Sequence, residues 1–254
     1  MSKVTFFSVF AIFFVATSLF FSSCDRDKGK GTLEIRFSAL YNTESLSLYT
    51  SYPTPDGDSM SIQVLNFLVS DIRLVTTDDK EVILLDDDSK FIDFDSPNAQ
   101  MISLADVPAG SYKAIRFGVG VQPSLNAKQP NNFPSSSPLG DVGNYWTAWD
   151  SYIFSRVEGQ LDTSRSSDQT LPFLYHSGVA SMYQERTFSK TFDVVEGNTS
   201  TVLYTLQARD IFYPTNFPVD IRSINVSHSA AVGTPEYEVA RTVVFNLANA
   251  LTLQ

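Results

Sequence analysis

Thr32-Leu-Glu-Ile-Arg-Phe-Ser38 is the stretch on which the fold turns. Leu33, Ile35 and Phe37 alternate with Glu34, Arg36 and Ser38. Successive side chains of a strand point to opposite faces, so this is a strand with one face buried and one in water. Working outward, Tyr112 to Val121 repeats the pattern. Ile115, Phe117, Val119 and Val121 share one face, and Ala114, Arg116, Gly118 and Gly120 the other. Residues 62–75 (IQVLNFLVSDIRLV) predict a long strand with a bend, partnered by Glu81 to Leu85 and ended by the acidic run Asp86-Asp87-Asp88. Further strands are expected at Tyr152 to Glu158, Thr187 to Val195 and Thr201 to Ala208. The turn Glu196-Gly197-Asn198-Thr199 makes the last two antiparallel neighbours. Gln122 to Asn144, rich in Pro, Asn and Ser, reads as a long surface loop. Near the end, Thr234-Pro235 supplies an N-cap and a first-turn proline, and Val239, Val243, Leu247 and Leu251 recur at helical spacing. Many strands, one terminal helix and no alternation of strand and helix predict an all-β fold: an antiparallel β-sandwich with a C-terminal helix and a long surface loop.

The N-terminus bears on compartment. Lys3 precedes an apolar run from Val4 to Phe21, followed by Ser22-Ser23-Cys24. A charged start, an apolar middle and small residues before a cysteine are the marks of a lipoprotein signal peptide. The expected organisation is a signal peptide over 1–23, a tether over 24–31 (CDRDKGKG) and one domain over 32–254. Lipid on Cys24 would anchor the chain to a membrane of the cell envelope, with the outer membrane of a Gram-negative bacterium the expected site. Cys24 is the sole cysteine, so disulfides and thiolate metal sites are excluded.

With 28 acidic and 18 basic residues the net charge is −10. Nucleic-acid binding needs phosphate-neutralising Lys and Arg, and no such partner is expected. Two histidines, no G-x-S-x-G elbow, no H-E-x-x-H helix and no phosphate loop leave little from which to build a catalytic centre. The chain is read as a non-enzyme. Asp78-Asp79, Asp86-Asp87-Asp88 and Asp93-x-Asp95 could hold calcium, or could simply be strand-end turns. His176 and His228 both read as loop residues, and imidazole is a common copper and zinc ligand. Tyr145, Trp146 and Trp149 form an aromatic corner that suits ligand stacking or core packing.

Several segments occur in an order that resembles the MbnP-like copper-binding domain. They are Asn66 to Val75, Ile102 to Val121 with its V-P-A-G-x-Y-x-x-I-x-F-G-V-G-V run, Tyr145-Trp146 through Phe154, and Glu158-Gly159. Phe173-x-x-His176-x-Gly178, Ser227-His228-Ser229 and the final helix with Asn246-Leu-Ala-Asn-Ala250 continue the series. The resemblance implies a β-rich exported protein associated with copper, with His176 and His228 as candidate ligands. It also implies a dihaem cytochrome partner of the MbnH type, with Trp146 or Trp149 as the residue it oxidises. Ala39 and Ala230 stand where members commonly carry a histidine and a methionine. The alternative is a non-metal binding module that recognises a protein or glycan through the 122–152 loop and the aromatic corner.

Overall fold

The computed structural model describes residues 29–163, 169–228 and 231–254. Cys24, the signal-peptide segment and most of the tether lie outside these residues, as do Ser229 and Ala230. Fourteen strands are described: β1 (Lys30–Tyr41), β2 (Glu44–Ser45), β3 (Ser51–Pro53), β4 (Ser59–Thr76), β5 (Glu81–Asp93), β6 (Met101–Pro108) and β7 (Gly110–Val119), then β8 (Tyr145–Trp146), β9 (Ser151–Asp162), β10 (Thr170–Gly178), β11 (Gln184–Val194), β12 (Thr199–Gln207), β13 (Val226–Ser227) and β14 (Leu251–Leu253). Two α-helices accompany them, the single-turn α1 (Pro123–Asn126) and α2 (Pro235–Asn249). Among the described residues no helix is long and apolar enough to cross a membrane.

The strands form two sheets, one of five with the order β14-β12-β1-β2 and β6 also on β1, and one of nine built around β4. The expected sandwich is what forms. Its core is aromatic. Phe37 of β1 meets Phe67 of β4 and Phe117 of β7 edge-on, with ring centroids 6.0 and 6.2 Å away, and stacks on Tyr204 of β12. Edge-to-face packing of this kind adds to the area buried, because the positive ring edge meets the negative face.

Pairing departs from expectation in instructive places. β11 and β12 are not hairpin partners: β11 pairs with β7 in the large sheet, whereas β12 runs parallel to β1 in the small one. Their short connection crosses between the sheets because Gly197 N donates to the Lys30 carbonyl and Thr32 N to that of Asn198, which holds the turn against β1. Lys30 and Gly31 thus already belong to the sheet. β10 and β13 are a second parallel pair. β5 does not stop at the acidic run but continues through Asp86, Asp87 and Asp88 to Asp93. The run stays in the strand because Gln122 Nε2 binds the Asp86 carbonyl and the Ser137 hydroxyl and Ser89 N bind Asp88 Oδ1. The bend expected in β4 falls at Asp71, whose backbone is left-handed (φ 53°) and where the register with both neighbours shifts. α2 begins at Thr234, whose hydroxyl accepts from Tyr237 N. Leu251 is not part of it: it opens β14 and pairs with Leu206.

β4 organises the large sheet. Asn66 and Val69 each pair with β5 on one edge, so β7 (opposite Val69–Thr76) and β9 (opposite Ser59–Phe67) share the other. The chain leaves that edge at Val119, makes an excursion over residues 120–150, and rejoins it in the same direction. β11 on β7 and β10 on β9 repeat the break one strand further out, across residues 179–183. The breaks line up as a seam across the sheet.

Candidate functional site

His176 sits near the seam, in β10 rather than in a loop, opposite Arg156 of β9. Along β9, Val157 and Leu161 are buried while Arg156, Glu158 and Gln160 are not, so His176 and its neighbours occupy the face turned away from the core. Pro172, early in the strand, is exposed, and the Asn225 side chain donates to its carbonyl. His228 follows β13 directly, and β13 pairs with β10, which brings the two rings together. They stack with centroids 4.4 Å apart and planes 12° from parallel.

The tryptophans wall the pair. Trp146 and Trp149 stack on each other at 4.9 Å, and Trp146 lies 5.9 Å from the His176 ring and 5.2 Å from that of His228. Trp149 Nε1 donates to the His228 carbonyl at 2.9 Å, tying the excursion to the segment after β13. Trp149 also lies over Gly178, where a Cβ would approach its ring to 2.7 Å. Only glycine lets the indole come this close to the strand. The turn that carries both tryptophans closes at Asp150, which adopts the left-handed conformation and accepts from the Tyr145 hydroxyl and Gln129 Nε2. Tyr145 packs edge-on to Tyr152, so it buttresses the turn and touches neither histidine among the ring contacts.

The excursion is more than a surface loop. Leu125, Asn126, Ser137, Leu139 and Asn144 are buried. Tyr152 OH donates to the Leu139 carbonyl, and Arg156 to Asn144 Oδ1 and the Gly143 carbonyl. An open groove of about 490 Å³ remains, lined by Tyr145, Trp146, Thr147, Ala148, Arg156 and His176 among others.

His176 Nε2 and Glu158 Oε1 are hydrogen-bonded at 2.7 Å. Burial holds the His176 imidazolium below the usual histidine range and His228 adds to that, while the hydrogen bond to Glu158 opposes it. His176 Nδ1 and His228 Nε2 are both buried and have no hydrogen-bond partner. Unpaired buried nitrogens are costly, and a ligand that accepts their lone pairs removes that cost. Glu158 was not singled out as a site residue by the sequence; its position two residues beyond Arg156 on a polar strand face was the available signal. Ala39 points into the core from β1 of the other sheet, in register with Leu206. The carboxylate runs do not assemble: Asp78 pairs with Lys80, Asp79 with Lys113, and Asp93 accepts from Asp95 N. No group of three or more His, Cys, Asp or Glu suited to a metal is found among the described residues, so the calcium cage does not form.

A two-sheet sandwich with an imidazole pair walled by stacked indoles defines a β-sandwich protein with one aromatic, histidine-bearing site at the seam of its larger sheet. A family profile described as MbnP matches residues 30–229, and the chain belongs to the MbnP family. Its fold is similar to that of MbnP from Methylosinus trichosporium, with a TM-score of 0.51 and 16% identity over 82% of this chain and 87% of that one. No curated protein matches the sequence.

Proposed function

We propose that this protein is an envelope lipoprotein, anchored through Cys24, that binds copper through His176 and His228. The observation that carries the reading is the pair of buried, unpartnered imidazole nitrogens on rings 4.4 Å apart. Neutral imidazole suits copper, and the aromatic surround limits water at the site. The residues present therefore fit the metal in donor type. Bound copper would supply a redox-active or transferable ion; the chain's own part is to hold two neutral donors in a fixed aromatic setting. Because the ring planes are nearly parallel, their lone pairs lie in parallel planes. Convergence on one ion takes a rotation of the His228 ring, which lies beyond β13 rather than inside a strand. A dihaem partner of the MbnH type acting on Trp146 or Trp149 is part of the same reading, and peptide mapping of protein from native envelopes tests it through the mass of the two tryptophans.

Copper titration of the wild-type protein beside the His176→Ala/His228→Ala variant tests the binding. Stoichiometric uptake that is lost in the variant is the expected result. Absence of binding in both would leave recognition through the open groove at Trp146 as the function, with no part for the histidines.

A further inference from the structure

Resting on the copper reading, we propose that Glu158 is a positioning residue that fixes His176 in the Nε2–H form and so makes Nδ1 its metal-facing atom. A carboxylate can only accept a hydrogen bond, so the nitrogen 2.7 Å from Glu158 Oε1 carries the proton. Neutral imidazole has a single N–H, and its lone pair is then on Nδ1. Nδ1 is the nitrogen that is buried without a partner. A second proton there would be a buried donor with no acceptor.

The sheet register makes this arrangement. Arg156 is directly opposite His176, and Glu158 is opposite Leu174, so Glu158 and His176 meet on the diagonal of an antiparallel pair. Their side chains are 25% and 12% exposed, which shields the hydrogen bond from competing water. On the other ring the unpartnered atom is Nε2. The two histidines therefore present different nitrogens, Nδ1 from the strand and Nε2 from the segment after β13. Carboxylates bound to the far nitrogen of a ligating histidine fix its orientation and raise its basicity, and losing them weakens metal binding by about 10–100-fold.

The test is the ¹⁵N–¹H long-range correlation pattern of the His176 ring, in metal-free protein and after addition of Cu(I). The expected results are an unprotonated Nδ1 before metal, a coordination shift at Nδ1 after it, and Cu(I) affinity about 10–100-fold lower in Glu158→Leu. Glu158→Gln, which keeps an acceptor for Nε2–H, is expected to retain the tautomer and to recover part of the affinity, and it also serves if the leucine variant does not fold. A proton on Nδ1, a copper shift at Nε2, or unchanged affinity in Glu158→Leu would each overturn this assignment while leaving copper binding intact. No shift at either nitrogen would instead sink the copper reading, and the metal-facing role with it.

Discussion

Replacing Gly178 by alanine tests whether the sheet and the aromatic wall are coupled as the geometry requires. A Cβ at this position would lie 2.7 Å from the Trp149 ring and 2.7 Å from the Tyr152 carbonyl. The carbonyl belongs to a paired strand, so the Cβ cannot shift toward it to escape the ring, and the indole must move. Overpacking of this kind costs about 1–3 kcal/mol. Displacing Trp149 also weakens its hydrogen bond to the His228 carbonyl, about 0.5–1.5 kcal/mol more. Against this, alanine restricts the unfolded chain and returns about 0.4–1 kcal/mol. The net expectation is a loss of about 0.5–4 kcal/mol, centred on about 2 kcal/mol. For a domain of this size that lowers Tm by about 2–4 °C per kcal/mol. Urea denaturation gives the stability, and tryptophan emission of the folded variant reports whether the Trp146–Trp149 stack has opened. Gly143→Ala is the control: its nearest neighbour would be Asp141 Oδ1 at 3.2 Å, and a change within about 0.5 kcal/mol is expected. Gly178→Ala with wild-type stability and wild-type emission would refute the argument that Trp149 is seated by the absent side chain.

Three further expectations concern the scaffold. Phe37→Ala removes the ring that contacts Phe67, Phe117 and Tyr204 across both sheets, and should cost about 3–5 kcal/mol in urea denaturation; a loss below 1 kcal/mol would deny that ring its bridging role. Thr234→Ala takes the hydroxyl from Tyr237 N at the start of α2 and should cost about 1 kcal/mol by thermal melting, whereas Thr234→Ser should not. Arg222→Ala leaves the Asp58 carboxylate, 3% exposed, without its ion pair. A loss of about 2–3 kcal/mol is expected, below the usual range for a buried pair because Arg222 is 42% exposed. Equal stability at neutral pH would show that water or another donor takes the arginine's place.

The parts of the fold that alternate cleanly were legible in sequence. β1 and β7 bury Leu33, Ile35, Phe37, Ile115, Phe117 and Val119 as their period of two requires. What escaped was information that resides in partners. The turn around Gly197 has the chemistry of a hairpin, and only the Lys30 carbonyl beside it turns the connection into a crossover between sheets. The acidic run after Leu85 looked like a strand end because the partners that keep it in the ladder lie far away in sequence: Gln122 on the excursion binds the Asp86 backbone carbonyl and the Ser137 hydroxyl binds Asp88 Oδ1. Leu251 kept the helical spacing of α2 and yet belongs to a strand, since Leu206 offers it a ladder position. For the site, His176, His228, Trp146 and Trp149 were singled out from sequence and the fold brings all four together. Glu158 was not, because a diagonal neighbour becomes visible only when the register of two strands is known.

The broken edge of β4 has a consequence for how this protein can change. The register of β7 and of β9 is held separately by β4, so neither depends on the number of residues in the 120–150 excursion. The seam works as a socket. Lengthening, shortening or replacing the piece between its anchors would leave the β4–β7 and β4–β9 ladders in place, provided that the buried Leu125 and Leu139 are kept, together with Gln122 and Ser137, which hold β5. A scaffold of this form separates the ladders of the sheet from the aromatic wall laid beside its histidines, and it offers a natural place to graft a new binding loop.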